Sequence, residues 1–149
     1  MGLLDATPDR PPSKLKRRLI MAAVFIALGS AGLWWVLRYH AEKVTVYHFL
    51  SAVAVGDTQR AYQIWKPVPS YTLGRFLEDW GPNGYYGPVK SFNVKDTDHP
   101  SGCSCVDVIV QVSPYRPFPE KDDFVKQAKT KEFKLRVEYA DQSMSFPLE

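Results

Sequence analysis

Little in this sequence announces chemistry. Two cysteines and three histidines are all that 149 residues provide, and no second cysteine pair exists to complete a tetrahedral zinc site with Cys103 and Cys105. The patterns G-x-S-x-G and H-E-x-x-H, a Walker loop and a dinucleotide fingerprint are all missing. Their absence removes the hydrolases, zincins, nucleotide-binders and NAD enzymes that carry local signals, and no cofactor is implied. Internal repeats and low-complexity tracts are absent as well.

A basic face is also lacking. The net charge is +3, but it sits in the first 37 residues, where Arg10, Lys14, Lys16, Arg17 and Arg18 oppose Asp5 and Asp9. Beyond Leu37 fourteen residues of each sign remain, so that part is neutral and has no phosphate-binding stripe. Nucleic acid is not an expected partner. The apolar and charged fractions, 45% and 23%, are those of a globular chain, and aromatics at 13% favour a packed core.

What the sequence does have is one long uncharged run. Residues 19–37, LIMAAVFIALGSAGLWWVL, hold nothing more polar than Ser30. As a helix they measure about 28 Å, close to the ~30 Å of a bilayer's hydrocarbon. A cleaved signal peptide has the same basic start, and Gly29-Ser30-Ala31 fits a cleavage site. Cutting there would strand Leu33-Trp34-Trp35-Val36-Leu37 as an apolar terminus, so a retained anchor is the expectation. No cysteine near the run offers a lipid attachment point. Five basic residues precede the run and only Arg38 and Lys43 closely follow it, which places the N-terminus in the cytoplasm. Trp34, Trp35 and Tyr39 then fall at the outer interface. The chain divides into a disordered basic cytoplasmic tail (1–18, with Pro8, Pro11 and Pro12), a single-pass anchor in the plasma (inner) membrane (19–37) and an extracytoplasmic domain (38–149), periplasmic or extracellular.

That domain reads as α+β. Val46, Phe49, Leu50, Val53 and Ala54 share one helix face, Gly56 stops the helix, and Asp57 caps a second helix carrying Ala61, Tyr62, Ile64 and Trp65. A third helix holds Leu73, Phe76, Leu77 and Trp80, starts near Ser70 or Thr72, and ends at Gly81-Pro82. After the Asn83-Gly84 turn the period becomes alternating. Strands are expected at 89–94, along Val106, Val108, Val110 and Val112, along Phe133, Leu135, Val137 and Tyr139, and around Met144 and Phe146. The D-T-D-H-P-S-G stretch reads as a hairpin turn, and the proline-rich residues 114–123 as a loop. About three helices should pack on a curved antiparallel sheet of three to four strands.

The run Phe49-Leu50-Ser51-Ala52-Val53-Ala54-Val55-Gly56-Asp57-Thr58-Gln59-Arg60-Ala61-Tyr62, a Ser/Thr-initiated helix with Phe76, and glycine-rich sequence leading into strands resemble small membrane-anchored members of the nuclear-transport-factor-two-like superfamily. The resemblance covers most of 44–146. It implies a cone-shaped fold with a pocket between helices and concave sheet, used by some members for catalysis and by others for binding ligands or proteins. A pocket enzyme of that kind, an isomerase or dehydratase, would use a carboxylate or histidine base, for which Asp107 has the best position. Tyr47, Tyr62, Trp65 and Tyr139 would line its cavity.

His99, Cys103 and Cys105 form H-x-x-x-C-x-C, ligand types that suit zinc or copper. A strand starting at Cys103 would put both thiols on one face with Cα atoms roughly 6.6–6.8 Å apart, so a disulfide would require a bent chain. Free thiols, a labile disulfide and a metal-bound pair all fit the sequence. His40 and His48 read as juxtamembrane or surface residues. The leading expectation is a non-enzymatic membrane-anchored module that binds a ligand or a membrane or periplasmic protein. An Asp107 pocket enzyme and a metal or thiol-redox accessory protein are the alternatives. Oligomeric state stays open, a homodimer included.

Overall fold

The computed structural model describes residues 14–147, and its contacts divide into two compact units, Met1–Arg38 and Tyr39–Glu149. The expected disorder of residues 1–13 lies outside the described residues.

In the first unit, α1 (Lys14–Leu37) is a 24-residue helix. Its stretch Lys14–Trp34 is long and apolar enough to cross a membrane, and none of that stretch is buried. Anchors and signal sequences both meet this description. Ser30, the most polar side chain of the apolar run, donates its hydroxyl to the Ala27 carbonyl at 3.0 Å, which satisfies that donor within the helix. The tail drawn to residue 18 needs correcting, because Lys14, Lys16, Arg17 and Arg18 form the first turns of this helix. A proline-free basic segment continues a helix readily.

The second unit is α+β. Three helices come first, α2 (His40–Val55), α3 (Thr58–Trp65) and α4 (Leu73–Trp80). Gly56 closes α2 at φ +79°, a left-handed conformation that favours glycine, and its N–H reaches the Val53 carbonyl at 3.0 Å. Asp57 then accepts the Arg60 N–H at 3.1 Å, and Thr72 accepts that of Arg75 at 3.4 Å, so each following helix begins on a side-chain cap.

Strands β1 (Ser91–Asp98), β2 (Cys105–Ser113), β3 (Lys131–Glu138) and β4 (Met144–Ser145) form an antiparallel sheet in chain order. A short helix, α5 (Phe124–Gln127), interrupts the proline-rich β2–β3 connection. It was not expected, since four residues are too few to show a period. Strand boundaries differ from the sequence reading, most at the β1–β2 hairpin. β1 runs on through Asp96-Thr97-Asp98, past a bulge between Val94 and Asp96, so the hairpin turn is only 99–104. β2 begins at Cys105, so Cys103 lies in the turn before it. The pairing of Asp98 with Asp107 explains the first shift, because cross-strand register outweighs the low strand propensity of aspartate.

One face of the sheet carries Val106, Val108, Val110, Leu135 and Val137, all fully buried, against Val46, Phe49 and Leu50 of α2. Aromatic rings fill the rest of that space. Phe49 meets Trp80 edge-on at 4.8 Å, Trp65 lies 5.2 Å from Phe146, and Tyr86 lies 4.4 Å from Phe133. Pairs in this range add about 0.5–1.5 kcal/mol each beyond the area they bury.

Candidate functional site

The other face of the sheet is a ladder of matched charges. Residues opposite one another in an antiparallel sheet share a face, and Asp107 faces Arg136 directly. Arg136 donates from Nε to Oδ1 at 2.8 Å and from Nη2 to Oδ2 at 3.0 Å, a two-point fork. Beside it Lys134 pairs with Asp98 at 2.7 Å, and Lys95 with Glu132 at 2.9 Å, where Gln111 also donates at 2.7 Å. The hydrogen bond from Lys134 holds the Asp98 carboxyl below its usual range, and those from Lys95 and Gln111 do the same for Glu132.

Asp107 therefore lies on the sheet face opposite the buried valines. It is buried, at 4% exposure, and the Arg136 side chain opposite it, 21% exposed, supplies the partner that burial requires. Both its oxygens are occupied by that guanidinium, so neither is poised to take a substrate proton. Asp107 and Arg136 themselves line an open groove of ≈ 550 Å³, together with Asp98, Lys134, Phe133 and Phe146.

The four aromatic candidates do not converge on one cavity. Trp65 is buried in the core, and Tyr62 leans on Phe76 and donates its hydroxyl to the Tyr71 carbonyl at 2.8 Å. Tyr47 is 56% exposed beside Phe92, and Tyr139 lies at the β1–β2 turn. The cleft nearest the core, ≈ 270 Å³, is lined by Val53, Gly56, Thr58, Phe76, Trp80 and neighbouring apolar residues, without a titratable side chain. In place of a carboxylate it offers Trp80, whose indole N–H has no hydrogen-bond partner.

At the β1–β2 turn, Cys103 and Cys105 are joined by a disulfide, with Cα atoms 5.2 Å apart. The chain is thus bent at Ser104, as a bond between such close neighbours demands. His99 sits nearby, its Nδ1 3.0 Å from the Cys105 carbonyl and 3.3 Å from the Tyr139 hydroxyl. A carbonyl only accepts, so Nδ1 carries the hydrogen. His99, Tyr139 and Tyr39 form a ring cluster with centroids 6.1–6.3 Å apart. The three ligand-bearing groups within 4.8 Å of one another are Cys103, Cys105 and Glu138, with His99 outside the set. Among the described residues this is where a metal ion would find donors, and both sulfurs would first have to be reduced.

Sequence reasoning missed Glu138, Arg136 and one exposed apolar pair. Phe124 and Val125, 79% and 75% exposed, begin α5 behind the Asp123 cap. With Tyr115, Arg116 and Phe118 they line an open groove of ≈ 660 Å³. β2 carries the chain from the Tyr39 cluster at Cys105 to Ser113, about 27 Å at the rise of a strand. The groove is therefore at the far end of the domain from Tyr39. Asp123-Phe124-Val125 was legible as a cap followed by two apolar residues, but nothing local marks them as uncovered.

Compared with known proteins, the chain matches no family model, no curated protein and no solved structure.

Proposed function

We propose that this chain is a membrane-anchored extracytoplasmic module, built on the nuclear-transport-factor-two-like plan, that binds a protein partner on its surface and is not a pocket enzyme. One observation carries this reading: the cleft beside the aromatic core holds no acid or base. The best-placed carboxyl, Asp107, is on the opposite face and held by Arg136. Pocket catalysis of the isomerase or dehydratase type needs a free proton acceptor in the cavity. Surface binding needs none, and the groove at Phe124 and Val125 supplies exposed apolar side chains that a partner can cover.

Membrane attachment rests on the composition of α1, and direction on the basic residues at its start. In this arrangement residues 19–37 of α1 stay in the bilayer, the basic residues before them are cytoplasmic, and Tyr39 onward is outside.

The test is site-specific photocrosslinking in native membranes, with a photoreactive residue at 124 and, as control, at Arg60. A discrete crosslinked species from position 124 alone, lost in Val125→Asp while the domain keeps its unfolding midpoint, is the expected result. Equal crosslinking from both positions, or a small molecule retained stoichiometrically by the purified chain in native mass spectrometry, would overturn the reading.

A further inference from the structure

We propose that Cys103–Cys105 is a thiol–disulfide exchange site entered through Cys103, and not a staple of the fold. The inference is independent of the binding role above.

The bond does little structural work. Its cysteines are two positions apart within one turn, so it joins no two elements. A disulfide stabilises mainly by restricting the unfolded chain, and the effect grows with loop length. A loop of this size is near the bottom of that scale. The hairpin is held without it, by the ladder from Cys105–Glu138 onward and by the Tyr139 N–H donating to the Ser104 carbonyl at 3.0 Å.

Access to the two sulfurs is unequal. Cys103 is partly exposed, whereas Cys105 is fully buried. A thiolate from solvent can reach only Cys103, and Cys105 must be the leaving group. In the first step an incoming R–S⁻ forms a bond to Cys103 Sγ, the Sγ–Sγ bond breaks, and its electron pair departs on Cys105. In the second, another R–S⁻ attacks the R sulfur of the mixed disulfide, giving R–S–S–R and the Cys103 thiolate. The two thiolates of the protein take up two protons from water. Two electrons have moved from the incoming thiols to the protein, and oxidation of the reduced pair runs the same steps backward. The co-reactant is a thiol pair, either two small-molecule thiols or a dithiol of another protein.

Glu138 sets the poise of this exchange. It faces Cys105 across the ladder and lies within 4.8 Å of both sulfurs. Negative charge there opposes the thiolate that forms on Cys105, and a leaving thiol of higher pKa departs more slowly. Glu138 is thus a positioning residue that favours the oxidised pair.

The test uses the full chain in detergent with reduced and oxidised glutathione, quenched by alkylation and read by intact mass. The wild-type bond should exchange with glutathione, and the reduced chain should keep its unfolding midpoint. Cys105→Ser should acquire one glutathione on Cys103. Cys103→Ser should be modified at Cys105 at least tenfold more slowly, until denaturant equalises the two. Glu138→Gln should speed reduction by about threefold near neutral pH, and the difference should persist at high pH, where the reduced pair is in the thiolate form that the carboxylate opposes. A bond that stays intact while glutathione reduces an exposed control peptide, equal modification of the two cysteines in the folded chain, or loss of the unfolding transition on reduction would each overturn the proposal.

Discussion

Arg136 holds both carboxyl oxygens of Asp107 from the directly opposite position on β3, at 2.8 and 3.0 Å. The two ends of this pair are not equivalent. Asp107 is nearly sealed while Arg136 keeps 21% of its side chain in solvent. Arg136→Met leaves a buried carboxyl without a partner and should cost about 2–4 kcal/mol. Asp107→Asn should cost less, about 1–2 kcal/mol, because the released guanidinium can turn to water. The double replacement Asp107→Leu/Arg136→Met should recover most of the loss. Chemical unfolding of the four chains measures all three differences, and equal losses for the two single variants would contradict the asymmetry.

The aromatic residues separate into core and surface in a way that stability can check. Trp65, 3% exposed and within 6 Å of Phe49, Tyr71, Trp80 and Phe146, is expected to lose about 3–5 kcal/mol on replacement by alanine. Tyr47→Ala, at 56% exposure, should cost under about 1 kcal/mol. Thermal unfolding midpoints decide it. A small effect at Trp65 would mean that the ring is a removable pocket wall.

Gly56 has free space around its Cα but a φ of +79°. Gly56→Ala should therefore destabilise by about 1 kcal/mol through backbone strain alone, with no clash. Gly56→Asn should be milder, since asparagine visits the left-handed region more readily. The comparison of these two midpoints separates conformation from packing.

Local chemistry made much of this fold legible. Gly56, Asp57 and Thr72 mark helix ends that need only their own neighbours, and the Val106–Val112 alternation needs only the two-residue period of a strand. What stayed hidden was long-range. That Asp107 meets Arg136, or that Glu138 meets Cys105, depends on β2–β3 register, which 17 residues of connection between Ser113 and Lys131 leave undetermined in the sequence. The C-x-C pair was visible, but its bond turns on a bend at Ser104, and an extended strand would have held the sulfurs apart. Phe124 and Val125 look like core residues, and only the packed domain leaves them uncovered.

Tyr71 provides a pH-dependent test of packing around α4. Burial, and then its hydrogen bond to the Asp79 carboxyl with that group's charge, push the phenol well above its ordinary value near 10. The native chain consequently keeps this proton while the unfolded chain loses it at about pH 10. Below that pH both states are protonated and the contribution is fully present. Above it the unfolded state binds fewer protons, so stability falls as pH rises. Tyr71→Phe cannot ionise, so its stability should decline less steeply above pH 10, and its phenolate absorbance curve should lack one late-ionising group. Asp79→Asn removes the charge that disfavours the phenolate and should bring that late group to lower pH without deleting it. Identical alkaline profiles for wild type and Tyr71→Phe would show that the Tyr71 hydroxyl is solvated and that the α4 contact with Asp79 does not persist in solution.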